Sequence, residues 1–69
     1  MVDKNNRTET RYANGIDYIY EFLSDGWIAI WKFIDGLPWI PVIQAMNVEK
    51  ADAYIHLTES VNFPLKRLV

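Results

Sequence analysis

Apolar and polar positions along this chain change period once. From Thr8 to Gln44 the apolar residues come in short runs of strand length, broken by Asn14-Gly15, Asp25-Gly26 and Asp35-Gly36. All three glycines of the chain follow Asn or Asp, the pairs that supply the positive φ of a type I′ hairpin turn. The intervals Ile16–Ser24, Trp27–Ile34 and Leu37–Gln44 are rich in Ile, Trp, Tyr, Phe and Val, and Thr8–Ala13 reads as a leading strand. The pattern predicts an antiparallel meander. Asp35-Gly36-Leu37-Pro38 fits either a tight turn or a longer loop. Pro41 has no N–H to give a ladder, so Trp39–Gln44 is expected at a sheet edge or with a bulge.

A two-residue Asp25-Gly26 loop would pair Ser24 with Trp27 and Leu23 with Ile28. One face would then carry Tyr18, Tyr20 and Phe22 opposite Ala29, Trp31 and Phe33. The other would carry Ile19, Glu21 and Leu23 opposite Ile28, Ile30 and Lys32, with Glu21 and Lys32 as diagonal neighbours of opposite charge.

After Met46 the period becomes helical. Asn47 is a good N-cap, and Glu49 and Asp52 place acids early in the helix. Val48, Ala51, Tyr54, Ile55, Leu57, Thr58 and Val61 fill one half of a helical wheel, and Asn62-Phe63-Pro64 ends the pattern. The fold class expected is α+β: an antiparallel β-meander of three to four strands, then one amphipathic helix on one sheet face. A short C-terminal strand over Leu65–Val69 is left open. Residues 1–69 read as a single small domain, with 1–7 as a flexible arm. The strand leading through Ala45-Met46-Asn47-Val48-Glu49-Lys50-Ala51 into a helix resembles many tiny phage and mobile-element proteins, over about ten residues and with no diagnostic motif.

Charge narrows the function classes. The net charge of −2 is uneven: residues 1–15 hold three bases against two acids, 16–63 hold seven acids against two lysines, and Lys66 and Arg67 follow. Nucleic-acid binders cluster Lys and Arg to release phosphate counterions, so the acidic middle argues against DNA or RNA as a partner. Met1–Ala13 lacks the apolar core of a signal peptide. Trp27–Met46 carries Lys32 and Asp35 near its middle, together with Gly36, Pro38 and Pro41, so no membrane partner is expected and the location expected is cytoplasmic. With no cysteine and one histidine there is neither a disulfide staple nor a Cys/His zinc site.

Candidate chemistry is thin. Asp52, His56 and Ser60 recur at i, i+4, i+8, but an exposed helix face offers neither an oxyanion hole nor shelter from water. Glu49, Asp52, His56 and Glu59 would form only a solvent-open chelate. No glycine-rich phosphate loop is present. The expectation is a non-enzyme with no cofactor and no catalytic or metal residues.

The informative feature is apolar excess on both sheet faces, where a half-buried antiparallel sheet normally keeps one face wet. One helix covers one face. The other needs the arm, the tail, a second copy or another protein, and its aromatic residues are types favoured at binding hot spots. The function expected is a protein–protein interaction module acting through Tyr18, Tyr20, Phe22, Trp31, Phe33 and Trp39, self-associating as a homodimer and/or binding another protein. Inhibition of a host or defence protein, in the phage style, is the job its size suggests. The alternative is a small-molecule or nucleotide binder with the Tyr/Trp face as a stacking platform.

Overall fold

In the computed structural model, residues 2–58 and the backbone of 67–68 are described. The meander forms as the turn signals dictate: β1 (Thr8–Ala13), β2 (Ile16–Phe22), β3 (Ile28–Lys32) and β4 (Ile40–Ala45), each antiparallel to the one before. The helix α1 (Val48–Ala53) follows and runs on into a π-helical turn over Tyr54–Thr58. The closing strand considered for Leu65–Val69 lies mostly outside the described residues. Within them, Arg67 and Leu68 run parallel beside Gln44 and Ala45. The helix end at Asn62-Phe63-Pro64 also lies outside.

The first two turns have different geometries. Asn14 and Gly15 both take positive φ, +56° and +78°, so Ala13 pairs directly with Ile16 across a type I′ turn. At the second turn only Gly26 does, at +91°. Its N–H donates to Leu23 C=O at 3.1 Å, and Leu23 N–H donates to Trp27 C=O at 2.8 Å. That is a three-residue loop with the glycine in the left-handed position, and it moves the ladder by one residue.

The register expected from a two-residue loop is therefore corrected. Phe22 faces Ile28, Tyr20 faces Ile30 and Tyr18 faces Lys32, while Glu21 faces Ala29 and Ile19 faces Trp31. Trp31 thus leaves the face of Tyr18 and Tyr20, and Glu21 and Lys32 lie on opposite faces. No neighbouring atom crowds Gly26, so its requirement is conformational. Gly26→Val is expected to cost about 1–2 kcal/mol through positive φ alone. A thermal melt should fall by several degrees; an unchanged midpoint would contradict this turn.

The expected bulge is present in β4. Ile30 faces Ile43 but Trp31 faces Pro41, leaving Val42 as the extra residue.

Helix and sheet enclose one core, in which Tyr18, Tyr20, Ile28, Ile30, Ile43 and Ala45 meet Ala51 and Ile55. Asn47 caps α1 as expected, its side chain accepting from Lys50 N–H at 2.8 Å. Leu57 departs from the wheel: it is 80% exposed. Leu57 is two positions, about half a turn, beyond the fully buried Ile55 in the π-helical turn and so faces away from the core. Asn14 Nδ2 donates to Ile55 C=O at 3.0 Å, tying that turn to the first hairpin.

The second sheet face is reached by the arm. Glu21, buried on that face, accepts from Trp31 Nε1 (2.9 Å), Asp3 N–H (2.9 Å) and Asn6 Nδ2 (2.8 Å). The arm reaches this face by satisfying a buried carboxylate, which polar residues do better than apolar ones.

Candidate functional site

Three of the six exposed large apolar residues among the described ones, Phe33, Ile34 and Leu37, lie on the β3–β4 connection; Tyr12, Met46 and Leu57 lie elsewhere. Phe33 N–H donates to Asp17 C=O at 2.9 Å, which fastens the start of the loop to β2. Leu37 N–H then closes on Ile34 C=O at 3.0 Å, with Gly36 at φ +82° in the position where a type II turn requires it. Pro38 follows, and the chain returns to set Trp39 against Phe33, ring centroids 5.3 Å apart and planes tilted by 56°. Ile34 and Leu37, 38% and 51% exposed, stand out from this fastened loop.

Beside the aromatic pair lies an open pocket of about 360 Å³, lined by Thr10, Arg11, Asp17, Tyr18, Phe33 and Trp39. Such a volume is at the small end of ligand pockets, roughly 300–1,000 Å³. Its lining includes three of the six residues expected at an interaction face, Phe33, Trp39 and Tyr18, the last with its side chain buried in the core. Of the other three, Tyr20 is fully buried under the helix and Phe22 is half-buried with the Arg7 guanidinium 3.9 Å above its ring. Trp31 lies on the face opposite Tyr18 and Tyr20, bound to Glu21. Comparison with known protein families, curated proteins and solved structures finds no match. The site is therefore argued from its own geometry.

Arg11 connects the pocket to the helix. It reaches Glu9 at 3.0 Å and Asp52 at 3.5 Å, and lies 4.8 Å over the Tyr20 ring. The hydrogen bond from Arg11 is the largest influence on the Glu9 carboxyl and, with the lesser one from Arg7, holds it below its ordinary value despite an opposing desolvation that ranks between them. Tyr20 Oη donates to Asp52 Oδ1 at 2.7 Å. Burial first, then this bond and the Asp52 charge, push the Tyr20 phenol well above the usual tyrosine value.

A raised folded-state value means stability that is whole below pH ~10 and declines above it, where the unfolded tyrosine ionises and the folded one does not. Tyr20→Phe is expected to lower stability by about 1–1.5 kcal/mol at neutral pH. It should also flatten the decline above pH 10, measured by denaturant titration across the alkaline range. An equally steep decline in the variant would assign the loss to other groups.

Asp52 is engaged by Tyr20 and Arg11, His56 is exposed, and Ser60 lies outside the described residues. Among the described residues no group of three or more His, Cys, Asp or Glu side chains is placed to hold a metal ion. No helix there is long and apolar enough to cross a membrane. The sequence reading did not single out Thr10, Arg11 or Asp17 for the pocket. The only local signal was Asp17 and Arg11 near the ends of strands that the first Asn-Gly turn makes neighbours.

Proposed function

We propose that the protein is a small non-enzymatic binding module that docks its Phe33–Trp39 loop on another protein and works by occlusion or assembly. The observation that supports this is the adjacent exposure of Phe33, Ile34 and Leu37 on a loop fastened at its base. A pre-shaped apolar loop loses little entropy on binding, and aromatic anchors of this kind dominate interface energetics. Net acidity over residues 16–63 favours a partner whose apolar patch has a basic rim.

The test places a photo-crosslinking residue at position 37 and a control at Glu49, in cells that express the chain. A partner crosslinked only from position 37 is then purified and titrated. Leu37→Asp should weaken that complex by about tenfold or more. Equal crosslinking from both positions, or unchanged affinity, would count against the loop.

The pocket supports a second reading, a small ligand stacked on Phe33 and Trp39. A ligand that shifts tryptophan emission in the wild type but not in Trp39→Phe would favour it.

A further inference from the structure

The sheet ends at β1, which has no strand on its outer side among the described residues. In an antiparallel ladder, alternate residues turn their N–H and C=O toward the neighbouring strand. The bond from Phe22 N–H to Arg7 C=O, 2.9 Å, fixes the phase. Arg7, Glu9, Arg11 and Ala13 bond inward to β2, so Thr8, Thr10 and Tyr12 present their backbone groups to the open edge. All three are exposed, Tyr12 by 69%. Protected edges carry a proline, a bulge, charged side chains or a covering segment, and of these β1 has only the charges of Glu9 and Arg11 among the described residues. β1 has no proline and pairs with β2 without a bulge. Among the described residues Arg11 guards the edge, its Nη1 donating to Thr10 C=O at 3.0 Å.

We propose that β1 pairs antiparallel with β1 of a second copy, about a two-fold axis at Thr10, so that two sheets become one. Only outward-facing residues can form the hydrogen-bonded pairs, which limits the registers to steps of two. With Thr10 opposite Thr10, Thr8 faces Tyr12 of the second copy, and Glu9 faces Arg11 twice by symmetry. These charged pairs occupy the non-hydrogen-bonded positions, where side chains approach most closely. One step either way sets Glu9 against Glu9 or Arg11 against Arg11. The charges therefore select a single register. Arg11 gives up Thr10 C=O, which gains Thr10 N–H of the second copy, and its guanidinium, already beside Glu9 and Asp52, meets Glu9 of the second copy as a third carboxylate. The contact is isologous and closes as a dimer. It stands independently of partner binding by the Phe33–Trp39 loop.

The test is solution mass by light scattering over a hundredfold dilution, with circular dichroism to establish folding of each variant. The wild type is expected at twice the chain mass, dissociating on dilution. Thr10→Pro removes only an outward N–H, which an edge strand tolerates, and should give folded monomer. Glu9→Lys sets Lys against Arg twice and should weaken the dimer by about tenfold or more. Arg11→Glu alone should do the same, yet an equimolar mixture of Glu9→Lys and Arg11→Glu should form heterodimers. A wild type that stays monomeric at millimolar concentration overturns the proposal. So does a dimer indifferent to both Thr10→Pro and Glu9→Lys, which would place self-association elsewhere. If Arg11→Glu does not fold, those two variants decide the matter alone.

Discussion

Ile55→Asp is expected to leave the protein largely unfolded at 25 °C. Ile55 has no exposed surface and sits in the core that joins the helix to the sheet. Losing its burial costs about 1.5–3 kcal/mol. The new carboxylate would add several kcal/mol more, being enclosed without a partner and one turn from Asp52. A domain of this size rarely holds more than about 3–5 kcal/mol in total, so the loss exceeds the reserve. Far-ultraviolet circular dichroism should show the folded signal gone without denaturant. Leu57→Asp, two residues on and 80% exposed, is the matched control and should stay within about 0.5 kcal/mol of wild type. The pair therefore tests which side of this turn packs on the sheet.

That contrast also marks where local sequence stopped being informative. The four strands, the Asn47 cap and the β4 bulge at Pro41 were legible, because each follows from a side chain acting on its own backbone: glycine on φ, asparagine on free N–H groups, proline on a missing donor. The second hairpin's register was not. Asp25-Gly26 suits a two-residue turn with both residues at positive φ, and equally a three-residue loop with only the glycine there. Those alternatives differ little locally. The difference lies at long range, where one register places Tyr18 and Tyr20 under the helix and Trp31 beside Glu21. The π turn is similar, since nothing in Tyr54–Thr58 announces it and its visible tie is to Asn14, 41 residues earlier. For the pocket, aromatic content pointed to Phe33, Trp39 and Tyr18. Their meeting depends on how the loop folds back, which also brings in Thr10, Arg11 and Asp17.

Trp31→Ala is expected to be nearly as damaging as Ile55→Asp, for a reason that also explains the acidic residue beside it. Trp31 is 7% exposed, and truncating a buried tryptophan costs about 3–5 kcal/mol. Its Nε1 also supplies one of three hydrogen bonds to the buried Glu21 carboxylate, the other two coming from the arm at Asp3 and Asn6. Removing the indole leaves Glu21 Oε1 without that donor, adding about 1–3 kcal/mol. Trp31→Phe separates the two contributions, since most of the packing stays and only the donor goes. That variant should fold, lose about 1–3 kcal/mol in a urea titration, and exchange the Asp3 amide faster as the arm loosens. If Trp31→Ala instead stays folded with an unchanged midpoint and merely shifts a dilution-dependent mass toward monomer, Trp31 is an interface residue. The Glu21 network would then be a surface feature. The burial of Glu21 argues against that outcome, because a carboxylate enclosed with neutral donors is tolerable only while every donor remains in place. Trp31, Asn6 and Asp3 thus act as one unit, in which the core residue and the polar arm keep the same charge satisfied.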